Sequence, residues 1–334
     1  MTSNRFDDVS RFASLVCPQC RGALETTPDH VQCTSCQSRG SRVADNAVDF
    51  MGGVAPLMDQ MQTWSDDDAS TIEVASAAMF EAKPIPAADA TVLRMARLVD
   101  ADDKLNELGK IVGYNSAELL WQSRYDPLEG LFDASTIPAT ASVLDIGGGS
   151  GQTLRRLFAG GKGIVLDIVP AHIAFGSRIW RLHRLPIVGV CGSAENVPLA
   201  DGSMDFVICR GVIMYTDHQT AISEVLRVLK RGQHAFFRIE SFWWDLNVMR
   251  YARRPAAIAL SLRSLLVGMV LGFTGIQPKL GRGWLFGPRS FVTRSRFRKM
   301  VNAAGGEVLR YESSKRGPQV RGHGTQDVVL CVKR

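Results

Sequence analysis

The first ten residues, MTSNRFDDVS, carry two acids and no apolar stretch, so nothing there resembles a secretory signal and the expected location is the cytoplasm. No uninterrupted apolar run reaches the roughly 20 residues a membrane-spanning helix needs. The longest, PAAIALSLRSLLVGMVLGFTGI at 255–276, is broken by Arg263, which favours a buried or lid helix, or a segment lying on the inner face of a membrane. Internal repeats and long low-complexity tracts are missing. A disulfide framework is missing too: Cys17, Cys20, Cys33 and Cys36 share one metal-type pattern, while Cys191, Cys209 and Cys331 lie scattered in apolar segments as free core thiols of a reducing compartment would.

With 334 residues, 46% of them hydrophobic, the chain can bury a large core, and one large domain with a small appendage is expected. The net charge of +6 is uneven: residues 1–110 sum to about −7 and 241–334 to about +13. A basic C-terminal third attracts phosphate, nucleic acid or an anionic membrane face, or simply solubilises a surface. Residues 15–51 form a compact unit rich in cysteine and turn residues. From 52 to 86 the composition shifts to Met, Asp, Ala and Pro, including Asp66, Asp67, Asp68, Pro84 and Pro86, which predicts a linker with one helix. Spacings of three and four predict helices over 88–101 and 116–124. Beyond Pro138, short β runs alternate with helical stretches, from SVLDI through GIVLDI, IVGVC, DFVIC and AFFRIES, and EVLRYESS with DVVLCVKR reads as a closing antiparallel pair. Such alternation predicts parallel strands joined by crossover helices.

The strongest chemical signal is VLDIGGGSGQTL at 143–154, an apolar strand that ends in an acid and runs into a glycine turn and a helix. Gly147, Gly149 and Gly151 let the backbone turn sharply and let a ligand approach without meeting a Cβ. The turn is not the dinucleotide G-x-G-x-x-G, because Gln152 and Leu154 occupy the last-glycine place, and no Gly-Lys-Ser/Thr follows as in a phosphate-binding P-loop. Asp145 suits a ligand bearing an ammonium or sulfonium group. About 20 residues on, Asp167 ends the second strand, where a carboxylate can accept ribose hydroxyls.

Together with the segment GSAENVPLADGSMDFV and EVLRVLKRG, these motifs make residues 140–240 resemble a class I S-adenosylmethionine-dependent methyltransferase of the type 11 group. The resemblance implies an α/β, Rossmann-like seven-stranded sheet, mostly parallel with an antiparallel last strand. It implies Asp145 and Gly147 by the methionine end, Gly149 and Gly151 shaping the loop, Asp167 at the ribose, Ser193 and Ala194 at the adenine, and Arg210 with Gly211 facing the methyl-transfer region. Ser193 stands where the group commonly has Asp. Glu224, Arg227, Gly232 and Asp205 belong to the fold signature.

A sulfonium methyl is already activated, so the enzyme needs mainly to align the acceptor, and a general base only where the acceptor must lose a proton. Tyr215, His218 and Glu240 are the candidate bases, with His218 foremost for an oxygen acceptor and an exposed loop histidine as its plain alternative. No Asn/Asp-Pro-Pro-Tyr/Phe follows the fourth strand, so the signature for methylating a nucleobase amino group is missing. Cys209 stands where RNA cytosine methyltransferases keep a nucleophile, but it lacks the preceding proline and reads as a buried thiol. The insertion at about 241–290, with Phe242, Trp243, Trp244, Trp284 and Phe286, suits a flat or greasy acceptor or a lid. Arg282, Arg289, Arg294, Arg296 and Arg298 are candidates for an anionic group on that acceptor.

Cys17-Pro-Gln-Cys20 and Cys33-Thr-Ser-Cys36 are two knuckles that can converge four thiolates on one structural Zn2+ with no open position. Residues 15–51 resemble the zinc-binding Trm112 family, whose members partner methyltransferases of RNA and protein. The expected organisation is a four-cysteine, zinc-ribbon-like module over 1–51, a linker and lid helices over 52–137, and a methyltransferase domain over 138–334. The leading expectation is methylation of a small-molecule or lipid-linked metabolite, such as a natural product, sugar or envelope intermediate, with peripheral membrane contact. An rRNA or tRNA methyltransferase is the alternative that the zinc module and basic third support, and a non-catalytic scaffold retaining the fold is the third.

Overall fold

The computed structural model describes residues 14–43, 46–61, 64–157, 162–278, 289–316 and 318–334, and the backbone alone of Asp66, Asp67 and Lys162. The chain divides into two compact units. The first comprises Met1–Pro127, Pro138–Ser193 and Pro198–Ala200, and the second Leu128–Ile137, Ala194–Val197 and Asp201–Arg334.

The first unit opens with four short strands, β1 (Leu24–Thr26), β2 (His30–Cys33), β3 (Arg39–Arg42) and β4 (Ala47–Asp49). Four helices follow: α1 (Val54–Met61), α2 (Asp66–Phe80), α3 (Ala87–Met95) and α4 (Glu107–Gln122). The unit closes with β5 (Ser142–Ile146), α5 (Gln152–Leu157), β6 (Lys162–Asp167), α6 (Pro170–Leu182) and β7 (Ile187–Cys191). Its strands run in the order β1-β2-β3-β4-β7-β6-β5. β1 to β4 pair antiparallel, whereas β4-β7, β7-β6 and β6-β5 are parallel. All five residues of β7 are buried, so its outer edge would waste a row of backbone polar groups, and the equally buried Ala47–Asp49 supplies the partners. Asn46 anchors this join: its carbonyl accepts from the Gly189 amide at 2.8 Å and its Nδ2 donates to the Ser177 carbonyl at 3.2 Å.

Between 52 and 86 there are two helices rather than the one expected. Asp49 starts the first by accepting from the amides of Met51, Gly52 and Val54, and Ser65 with Asp68 forms a capping box for the second. α4 begins nine residues before the predicted 116, after the Asn106 cap. Gly109 and Gly113, breakers on paper, are contact points here: a Cβ would stand 2.0 Å from the Leu98 carbonyl oxygen and 2.6 Å from that of Ser76. α3 stops at Met95, well short of 101, as Arg97 turns into the left-handed region.

The second unit contains β8 (Met204–Arg210), α7 (His218–Val228), β9 (Leu229–Glu240), α8 (Phe242–Tyr251), α9 (Pro255–Thr274), α10 (Arg294–Ala303) and β10 (Gly306–Ser313). A small hairpin of β11 (Gln319–Val320) and β12 (His323–Gly324) precedes β13 (Gln326–Lys333). The order is β8-β9-β13-β10, with β8 and β9 parallel and β13 antiparallel to both neighbours, as the closing pair predicted. Phe206, Phe236, Phe237 and Phe297 are fully buried at its core. Glu224 accepts from the Val197 amide at 2.7 Å and from Arg227 at 2.8 Å, and Arg227 also reaches Asp201, so these residues are architectural as expected. Third-second-first order in one unit and fourth-fifth-seventh-sixth in the other, with helical crossovers, is the α/β Rossmann-like methyltransferase fold with a mostly parallel sheet.

Candidate active site

β5 ends in Asp145, which is 1% exposed, and the chain then turns through Gly147, Gly149 and Gly151 at φ +66°, +58° and +75°. Only glycine adopts those angles without strain. The space is tight as well: a Cβ on Gly148 would lie 2.7 Å from the Asp145 carboxylate, and one on Gly149 2.6 Å from Asn115 Oδ1. The Gly147 amide donates to the Leu166 carbonyl at 2.7 Å, tying the turn to β6.

Asp167 is 6% exposed and already partly engaged. Its Oδ2 accepts from the Gly149 amide at 3.0 Å, its Oδ1 from the Val169 amide at 2.9 Å, and His172 Nδ1 lies 3.1 Å from Oδ2. Each carboxylate oxygen retains acceptor capacity for a hydroxyl. Sequence reasoning placed Asp167 in this neighbourhood but missed three supports of the turn. Asn115 on α4 accepts from the Ser150 amide at 2.9 Å and from the Gln152 side chain, Trp180 on α6 donates to the Ser150 carbonyl at 2.9 Å, and His172 flanks the carboxylate. One available signal was Asn115 itself, a weak helix former on a buried helix face. Ser193, at the end of the first unit, is half-buried.

In the same unit, the four Sγ atoms of Cys17, Cys20, Cys33 and Cys36 lie within 4.8 Å of one another. Cys17 and Cys36 are 3.5 Å apart and Cys20 and Cys33 3.4 Å, near the roughly 3.8 Å edge of a tetrahedron with Zn–S bonds of about 2.3 Å. Amides of Gln19, Ser35 and Cys36 point at sulfur, and the Cys36 N–H is the chief cause holding the Cys33 thiol down to about 6. Arg21 and Gln37, each following a knuckle, take up the left-handed conformation that folds it. The donor set fits zinc.

In the second unit, Ala194 is half-buried, Arg210 ends β8 in register with Arg238, and Gly211 donates to the Arg238 carbonyl at 2.8 Å. Tyr215 is exposed. Glu240 ends β9 and lies 3.6 Å from Arg289, which lies 3.7 Å from Asp245 on α8. Asp245 accepts from Ser264 at 2.7 Å. Two acids thus share one guanidinium. Burial pushes Glu240 up to about 8, with Arg289 opposing and Asp245 adding to the rise, and burial likewise raises Asp245. Glu240 is therefore largely protonated at neutral pH and poised near it. Nothing along the chain pointed to Asp245 as its neighbour.

His218 requires correction. It is neither an exposed loop histidine nor a base open to an acceptor: it begins α7, is fully buried, and its Nε2 lies 3.3 Å from Ser290 Oγ. Burial pulls it down to about 4 and keeps it neutral. The arginines do not converge on an anion either. Arg289 serves the two acids, Arg294 lies over the Tyr311 ring at 4.8 Å, Arg296 donates to the Gly272 carbonyl at 3.2 Å, and Arg298 to that of Val308 at 3.4 Å. Arg282, Trp284 and Phe286 lie outside the described residues. Cys209 is fully buried within β8. Phe242 and Trp243 line an open groove of about 420 Å3 with Leu246, Arg250, Val320 and Arg321.

Fold and turn thus define an α/β domain of the methyltransferase kind, and comparison with known proteins agrees for the central segment. Residues 144–237 match the family model of a methyltransferase domain. An uncharacterized methyltransferase of Mycobacterium tuberculosis is 36% identical over 98 residues, 29% of this chain and 39% of that protein. The ubiquinone/menaquinone biosynthesis C-methyltransferase of Hahella chejuensis is 35% identical over 107 residues, 30% of this chain and 43% of that protein. The chain therefore spans about two fifths of the length of these curated relatives. Among solved structures, a SAM-dependent methyltransferase of Methanosarcina mazei aligns with a TM-score of 0.42 at 19% identity, covering 60% of this chain and 95% of that one.

Proposed function

We propose that the chain is an S-adenosylmethionine-dependent methyltransferase acting on a small-molecule or lipid-linked metabolite. The observation that carries this reading is the Asp145-tipped strand feeding a turn whose three glycines have positive φ and whose Gly149 amide is tied to Asp167. On this reading, bound cofactor supplies an activated methyl group. Asp145 and Gly147 receive its charged methionine end, Gly149 and Gly151 keep the loop bare, Asp167 accepts the ribose hydroxyls, and Ser193 with Ala194 border the adenine. Arg210 borders the transfer region. Glu240, pushed up to about 8, replaces His218 as the group able to take an acceptor's proton, in its ionised form, whose share grows as pH approaches 8. Tyr215, although 56% exposed, has its phenol raised above the ordinary value, first by desolvation and then by Glu240 when that acid ionises, and so keeps its own proton. The groove walled by Phe242, Trp243 and Leu246 supports an apolar or flat acceptor. Cys17, Cys20, Cys33 and Cys36 would hold a structural Zn2+.

Calorimetry with S-adenosylmethionine tests the cofactor half: binding that Asp145→Ala weakens at least tenfold is expected, and undiminished capture by that variant refutes the assignment. Labelled methyl transfer into fractions of an extract lacking the protein tests the acceptor half. Label in the organic-soluble or small-molecule fraction is expected, and label confined to ribosomal or transfer RNA would replace the metabolite with RNA.

A further inference from the structure

Among the described residues one helix, α9, is long and apolar enough to cross a membrane. One of its faces is already committed to its own unit. Leu260, Ser264, Leu265, Val267, Gly268 and Leu271 are buried, Ser264 donates to Asp245, and a Cβ on Gly268 would stand 2.4 Å from the Phe291 ring. A helix packed in this way lies on its domain rather than spanning a bilayer.

The other face is also apolar. Leu262, Leu266, Met269, Val270 and Phe273 are 50%, 61%, 41%, 42% and 88% exposed, and their spacing puts them on one stripe. At 1.5 Å per residue the stripe is about 16 Å long. The single charged residue of the helix, Arg263, is half-buried and by helical spacing borders the stripe on the side of Val270. Isolated exposed leucines need no explanation, but a contiguous apolar face does.

Charge says what covers it. Residues 246–306 contain no Asp or Glu, yet they contain nine arginines and two lysines. Arg250, Arg253 and Arg254 are exposed just before α9, beside Tyr251 at 67% exposure. Apolar side chains in one row, with cations at its start and no acid in that stretch of chain, complement a surface that is greasy below and anionic above. RNA would satisfy the cations and leave the stripe in water.

We propose that α9 is a docking element that lies in the interfacial plane of an anionic lipid bilayer. Leu262, Leu266, Met269, Val270 and Phe273 enter the acyl boundary, and Arg250, Arg253 and Arg254 meet headgroup phosphates. The proposal rests on this surface alone and holds whether or not the chain transfers methyl groups.

The test is co-sedimentation of the full chain with vesicles of phosphatidylglycerol and phosphatidylcholine, against phosphatidylcholine alone. Binding to the anionic vesicles is expected, with each of Phe273→Asp and Leu266→Asp weakening it about tenfold or more. Arg253→Glu should weaken it roughly fivefold, as should added salt. Melting curves verify that the variants fold, and Leu262→Gln with Met269→Gln serves as a second pair. Equal pelleting of wild type and Phe273→Asp overturns the proposal. So does a dimer in sedimentation velocity that Phe273→Asp dissolves without any vesicle binding, since a second copy would then cover the stripe. RNA retention lost with Arg253→Glu but kept with Phe273→Asp, in a chain that ignores vesicles, overturns it as well.

Discussion

Gly149 and Gly202 share a φ of +58°, but a Cβ on Gly149 would strike Asn115 at 2.6 Å while one on Gly202 meets nothing within 4 Å. Gly202→Ala should therefore cost only the left-handed strain, about 1 kcal/mol, and leave cofactor affinity unchanged. Gly149→Ala should cost more, roughly 2 kcal/mol, and weaken S-adenosylmethionine binding at least tenfold, which denaturant melts and calorimetry on both variants would measure. Glu240 and His218 make opposite contributions to pH dependence. Glu240 has its folded pKa raised to about 8 from 4.5, so the folded state holds an extra proton between those values. Its contribution is complete below about 4.5 and is lost as pH rises through 8. His218 is lowered from 6.5 to about 4, so the unfolded state holds the extra proton there and stability is lost as pH falls from 6.5 toward 4. Wild-type stability should thus decline from about pH 6.5 to about 8.5 by on the order of 2 kcal/mol while Glu240→Gln stays flat. Between pH 6.5 and 4.5 the two slopes offset, so the wild type should stay nearly level there while His218→Phe keeps gaining stability as pH falls, and guanidinium melts across the range would show both.

Among the helices, α4 holds the glycine turn as well as packing on α2. Asn115 spends both ends of its amide, accepting from Ser150 and Gln152 and donating to the Ile111 carbonyl at 2.7 Å. Asn115→Ala should leave the Ser150 amide unpaired at a cost of about 2 kcal/mol, and should weaken cofactor binding more than it slows transfer at saturation. Thermal melts together with KM and kcat would separate the two effects. This support was illegible because Asn115 and Ser150 lie 35 residues apart in the chain. α9 has the same history. Its length and composition were readable, but its sequence is apolar all round, and which face Phe291 and Asp245 cover is a matter of packing.

Across the first unit, the cysteine strands do not end in an appendage: β4 extends the parallel sheet by pairing with β7. On the proposed zinc assignment, stripping the ion from the four cysteines should therefore disturb more than the knuckles. The purified chain is expected to release about one zinc ion to a chelator. Cys33→Ser should lower the melting midpoint by roughly 10 °C, and exchange of the β7 amides with deuterium should quicken. For the molecule as a whole, whatever depends on near neighbours could be read along the chain. The strand, acid and glycine turn at 143–154, the two knuckles, and the alternation that builds a Rossmann-like sheet all follow from spacing and from which residues tolerate a positive φ. Folding in three dimensions was needed to seal His218, to stand Arg289 between Glu240 and Asp245, and to leave one side of α9 facing solvent. Burial and pKa depend on which distant segments pack against a group, and periodicity along the chain carries no record of that.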